Sequence, residues 1–143
     1  MNRKKVITVL LAVVSCILTA CSIPNAIAEE YGRETYICID NKVKDRIISI
    51  GATWYIDNES FGSTGVINAD NTILGEESIQ FCIQKEDVPE GSDLNKFAAK
   101  IEVTETSGET VQVDTLQFPL EFGKDNFYEL MYEDGDYFIL RSE

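Results

Sequence analysis

The feature that most constrains this chain is a strict alternation of apolar and polar residues over residues 46–56. Successive side chains of a β-strand point to opposite faces, so alternation of this length predicts a strand with one buried face. The inward set is Ile48, Ile50, Ala52, Trp54 and Ile56, and the outward set is Ser49, Gly51, Thr53 and Tyr55. The pattern therefore predicts a β-sheet with one side facing water.

Similar short runs rich in Val, Ile, Thr, Tyr and Phe recur along the chain, and Gly, Asn, Asp and Pro separate them. No long stretch has a helical period. Seven or eight strands at this spacing predict an all-β fold, an antiparallel immunoglobulin-like β-sandwich, with a small closed β-barrel as the alternative. Besides residues 46–56, the strands are expected at residues 35–41, 61–69, 78–84, 97–105, 110–122, 126–133 and 137–141.

Three local signals refine this prediction. Asp134-Gly135 is a strong two-residue hairpin signal between the last two strands. The apolar phase changes near Asp114-Thr115, which predicts a β-bulge. Gly62 and Gly65 interrupt the third strand and predict an edge, a bulge or a bend.

The N-terminus has the order of an export signal. Arg3, Lys4 and Lys5 precede an apolar run over residues 6–20. This run is shorter than the about 20 residues that a membrane-spanning helix requires. It ends in Leu18-Thr19-Ala20-Cys21, which resembles the lipobox of bacterial lipoproteins.

The lipobox resemblance implies cleavage before Cys21, acylation of its thiol, and a protein anchored by lipid to the outside of a bacterial cell membrane. The expected organisation is a signal peptide at residues 1–20, a lipidated Cys and flexible tether at residues 21–34, and a β-sandwich domain at residues 35–143. The strand pattern also resembles that of small sandwich domains in exported lipoproteins of Gram-positive bacteria. An ordinary cleavage site at Ala26-Ile27-Ala28 is the alternative and predicts a freely secreted domain.

The charge of the chain limits its partners. There are 25 acidic and 12 basic residues, and the formal charge is −13. Loss of Arg3, Lys4 and Lys5 with the signal leaves nine basic residues and a formal charge of −16. Such a domain is repelled by nucleic acid and by anionic lipid headgroups, so neither is an expected ligand. The excess of negative charge favours a basic protein partner, whereas the oligomeric state is left open.

The chain contains no histidine. A Ser-His-Asp or Cys-His centre is therefore excluded, and the commonest metal ligand is missing. Two thiols without histidine do not complete a typical zinc site. We expect no enzymatic activity, no cofactor and no metal, and we interpret the domain as a non-catalytic binding module.

Two cysteines, Cys38 and Cys82, are neither in the signal nor at the lipidation position. In an exported chain such a pair predicts one disulfide. Each cysteine lies on the side of its strand opposite the Ile and Phe residues. The two strands are therefore expected to be neighbours in one sheet, with both sulfurs on its outer face.

A binding module for a small ligand is the alternative function. Trp54 with Tyr55 can form a platform for a sugar, although the position of Trp54 on the apolar face favours core packing. Acidic turns can bind calcium, which requires six to eight oxygen ligands. The candidate turns are Asp57-Asn58-Glu59, Asn68-Ala69-Asp70-Asn71 and Glu133-Asp134-Gly135-Asp136.

Overall fold

The structure is a computed structural model that describes residues 32–142. The predicted signal peptide, Cys21 and the alternative cleavage site lie outside the described residues. Residues 32–142 contain eight strands: β1 Glu34–Asn41, β2 Ile47–Ile56, β3 Glu59–Ile67, β4 Ser78–Gln84, β5 Phe97–Glu105, β6 Thr110–Gln117, β7 Asn126–Glu133 and β8 Asp136–Arg141. Short 3₁₀ turns occur at Ala69–Asn71, Lys85–Asp87 and Leu94–Lys96.

The strands form two sheets of four, which confirms the all-β class and the upper strand number. Sheet A has the order β4-β1-β7-β8 and sheet B the order β3-β2-β5-β6. Neither sheet closes on itself, so the alternative of a closed barrel is wrong. This arrangement is compatible with a β-sandwich of eight strands.

One strand pair corrects the prediction of a fully antiparallel fold. β1 and β7 run parallel, with Cys38 beside Phe127 and Asp40 beside Glu129, whereas the other five pairings are antiparallel. Alternation specifies which face of a strand is buried, but it does not specify the neighbour or the direction. Residues 118–125 cross from sheet B to sheet A before β7, and so no tight hairpin imposes an antiparallel pairing.

The inner faces of both sheets share one hydrophobic core. Sheet A contributes large buried side chains that include Ile37 and Ile39 of β1, Phe81 of β4 and Leu130 of β7. Sheet B contributes the alternating residues of β2 and β5. Between the sheets, six aromatic rings of the described domain are in contact: Trp54, Phe61, Phe81, Phe97, Phe118 and Tyr128.

β-Bulges account for the places where simple alternation fails. In β2 the register with β5 skips Ile48, so that Ile47 is buried and the expected inward Ile48 is only half-buried. In β6 the bulge lies at Val113, which has no partner residue on β5, one residue before the predicted phase change. β3 is an edge strand, as its glycines predicted, and its register with β2 skips Phe61. Gly62 lies so close to the Trp54 ring that an added Cβ would be 3.0 Å from Trp54 Cδ1.

Loops at the ends of the strands complete the core. The sixth strand ends at Gln117 rather than at residue 122, since Pro119 has no N–H for the ladder, yet Phe118 and Leu120 are buried. Asn41 is also buried, and its side chain donates to the carbonyls of Val43 and Gly75 at 3.2 and 2.8 Å. The Asn41 Oδ1 atom also accepts from the Val43 N–H at 3.0 Å. This one side chain therefore links the segment after β1 to the segment before β4.

The predicted turn at Asp134-Gly135 is confirmed, because both residues have positive φ between β7 and β8. Asp57 and Asn58 form a similar two-residue turn between β2 and β3. Within residues 32–142, no helix is long and apolar enough to cross a bilayer.

Candidate functional site

Cys38 and Cys82 lie on neighbouring strands of sheet A, as predicted, but both are free thiols. Cys82 is opposite Tyr36, and Cys38 is opposite Gln80. The cysteines are therefore diagonal neighbours, which are typically about 7–8 Å apart, whereas a disulfide prefers Cα atoms about 5.5–6 Å apart. The structure does not support the predicted bridge, because the pairing register sets the sulfurs one row apart.

The two thiols also differ in exposure. Cys82 is exposed, but Cys38 is 4% exposed although it lies on the outer face of the sheet. Burial raises the pKa of the Cys38 thiol, and the charge of Asp125 adds to this effect. Burial also raises the pKa of Cys82, while a hydrogen bond with Tyr36 opposes the shift. Raised pKa values keep both groups as thiols at neutral pH, which disfavours a role as nucleophile.

The two residues considered for a sugar platform, Trp54 and Tyr55, lie on opposite faces of β2, and the turns considered for calcium are largely exposed. Trp54 is 5% exposed and packs in the core, as its position on the apolar face indicated. Tyr55 is half-buried on the opposite face of β2. No group of three or more His, Cys, Asp or Glu in residues 32–142 is placed to hold a metal ion.

The outer face of sheet A carries an unusual combination of side chains. Phe127 and Leu140 are 52% and 49% exposed, and both point outward because Tyr128, Leu130 and Ile139 fill the inward positions. Glu129 pairs with Leu140 in register. One row further along, Met131 pairs with Phe138, and both side chains are half-buried. We call these residues, with Asp40 of β1, the β1–β7–β8 face.

A cavity of about 320 Å³ opens on this face. The cavity is lined by acidic, aromatic and small polar residues: Asp40, Glu129, Phe127, Tyr128, Cys38, Ser78 and Ser142. Sites for organic ligands usually have about 300–1,000 Å³, so this cavity is at the small end of that range. The two acidic residues in its lining favour a positively charged group as its occupant.

Lys42 forms an ion pair with one of these carboxylates. Its Nζ donates to Asp40 Oδ2 at 2.7 Å. The hydrogen bond to Asp40, the charge of Asp40 and the charge of Glu129 raise the pKa of Lys42. The side chains of Lys42 and Asp40 are 41% and 46% exposed, so this ion pair is in contact with water. Exposed pairs of this kind add little to stability.

A second polar cluster joins the two sheets at another place. The Tyr137 hydroxyl donates to Glu105 Oε1 at 2.6 Å, and Arg46 Nη2 lies 3.3 Å from the same oxygen. The Arg46 guanidinium stacks 4.0 Å from the centre of the Tyr132 ring. Each group has a partner within the cluster, which therefore serves to hold sheet A against sheet B.

A scan against models of known protein families finds no match for this chain, and no curated protein is significantly similar to it in sequence. The surface of the described domain is therefore the basis on which a function is proposed.

The sequence predicted acidic character but missed the β1–β7–β8 face. The signal was present in residues 126–133, where both phases of the alternation contain large apolar residues: Phe127 and Met131 in one, Tyr128 and Leu130 in the other. A strand that covers a single core buries one phase, so apolar residues in the second phase indicate an apolar outer surface.

Proposed function

We propose that this chain is an exported bacterial lipoprotein, anchored through Cys21, whose immunoglobulin-like domain is a non-catalytic binding module for a basic protein partner. The observation that carries the binding role is the β1–β7–β8 face, where Phe127 and Leu140 are exposed beside the carboxylates of Asp40 and Glu129. Protein interfaces combine aromatic anchors with complementary charge in this way.

The charge of the whole domain supports a basic partner. Seven of the nine lysines and arginines in residues 32–142 form ion pairs with carboxylates. Acidic residues nevertheless remain in large excess over basic ones. The field of this surplus attracts cationic proteins and speeds their approach, and salt screens it. A cationic hydrolase that the domain inhibits is one partner of this class.

The binding role is tested by capture from a bacterial envelope extract on the immobilised full chain, at low and at high salt. We expect proteins of high isoelectric point to be retained at low salt and released at high salt. Retention of the same proteins at both salt concentrations would contradict an electrostatic partner. Retention of acidic proteins alone would contradict the proposal as a whole.

The lipid anchor requires a separate measurement. Mass spectrometry of the mature N-terminus is expected to find a chain that begins at Cys21 and carries acyl groups. A chain that begins at Glu29 without acyl groups would instead show cleavage after Ala28 and free secretion. A Cys21→Ser variant, in which only the acylated thiol is lost, is the matched control for membrane association.

A further inference from the structure

The two exposed apolar side chains on sheet A are close neighbours of two carboxylates. Phe127 and Glu129 are two residues apart on β7, so they share one face, and Asp40 and Leu140 flank Glu129 on the adjacent strands. Isolated exposed apolar residues are ordinary, but a contiguous group of them marks an interaction surface. The half-buried Met131 and Phe138 extend this group by one row.

The charge of the face selects its occupant. Asp40 forms an ion pair with Lys42 and lies beside Glu129 in register, so these three groups together have a net negative charge. Lys42 reaches Asp40 from the segment after β1 and is exposed. Lys42 therefore holds a position that the cation of another molecule can take. An exposed Phe ring beside that position also attracts a cation through its π-face.

We propose that the β1–β7–β8 face binds a lysine or arginine side chain of a basic, partly apolar segment of another protein. This inference rests on the proposed function and assigns its contact surface. The incoming cation replaces Lys42 at Asp40, beside Glu129, and its aliphatic stem lies on the Phe127 ring inside the cavity of about 320 Å³. Apolar neighbours in the bound segment contact Leu140 and Phe138.

Other occupants fit this surface less well. A second copy of the chain brings the same excess of negative charge, and its basic residues are largely engaged in ion pairs. Nucleic acids and anionic lipids are repelled by the same field. A small amine would occupy the cavity but leave Leu140 and Phe138 uncovered, and these residues extend beyond the cavity lining.

The test is binding of a synthetic peptide of alternating lysine and leucine to the full chain in detergent, measured by calorimetry at low salt. A peptide of alternating glutamate and leucine is the probe control. We expect Phe127→Ala to weaken binding of the lysine peptide by about three- to tenfold, and Glu129→Gln by about two- to fivefold. Lys42→Met, which removes the internal competitor, is expected to strengthen binding by about two- to threefold.

Matched variants separate this face from the general charge of the domain. Ile67→Ala removes an equally exposed apolar side chain from sheet B, and Glu109→Gln removes one charge from a distant turn. Lys44→Met removes a neighbouring lysine that pairs with Glu76. All three controls are expected to leave the affinity within about twofold of the unmodified chain.

Equal affinities of the face variants and their controls would overturn this inference, and so would a loss of affinity in Lys42→Met. After either of these results, the proposed function would still hold if basic envelope proteins were captured at low salt and released at high salt. Absence of any binding of the lysine peptide would also overturn the inference. If basic envelope proteins were not captured either, the proposed function would fail with it.

Discussion

Replacement of Phe97 by alanine is the sharpest test of the shared core between the two sheets. Phe97 is 1% exposed, and its ring centre lies 5.0 Å from that of Phe118, 6.2 Å from Trp54 and 6.3 Å from Phe61. Truncation of a buried Phe to Ala typically costs about 3–5 kcal/mol. Because three aromatic partners lose contact, we expect a loss in the upper half of that range, about 4 kcal/mol.

A loss of this size is large for a domain of about 110 residues, whose total stability is of order 5–15 kcal/mol. The assay is urea denaturation followed by fluorescence of Trp54, the chain's single tryptophan, and by circular dichroism. The midpoint should fall while the slope of the free energy against urea stays constant, since the same surface is exposed on unfolding. Phe97→Leu, with an expected loss of about 1.5 kcal/mol, gives a measurement if the alanine variant does not fold.

Phe127→Ala is the matched control, because it removes the same side chain from a half-exposed position on the outer face of sheet A. Its expected cost is below about 1 kcal/mol. A loss below about 1 kcal/mol for Phe97→Ala would refute the assignment of Phe97 to the core. An equal loss for both variants would show that Phe127 is also buried, which would contradict the proposed binding face.

Three further predictions concern single groups. Burial and a hydrogen bond to Glu105 raise the pKa of Tyr137 above its ordinary value of 10.0. The stability that this group contributes is therefore complete below pH 10.0 and is lost as the pH rises through the folded-state pKa. In urea titrations at alkaline pH, the free energy of unfolding should decline less for Tyr137→Phe than for the unmodified chain. Thiol titration should find Cys82 modified in the native chain and Cys38 only on unfolding, and failure to detect either in the unfolded, unreduced chain would show a disulfide. Asn41→Ala should cost about 2 kcal/mol, because buried backbone groups lose their partners; a neutral result in denaturation would contradict that role.

The sequence by itself determined the strand pattern and most of the inward residues of this domain. Alternation with a period of two placed Ile50, Trp54, Ile101 and Phe81 on inner faces, since a strand offers only two sides and the core accepts the apolar one. Turn chemistry at Asp134-Gly135 also required no tertiary information, because the two-residue hairpin depends on the backbone preferences of those residues alone.

Only the tertiary structure decided which strands are neighbours, in what direction, and with what register. The parallel contact of β1 with β7 brings Asp40 beside Glu129, although these residues are far apart in sequence. The register of β1 with β4 places Cys38 and Cys82 diagonally rather than opposite each other. A bulge in β2 puts Ile47 in the core instead of Ile48. These features depend on long-range packing between sheets. The pattern of one strand does not contain that information, because many pairings bury the same apolar side.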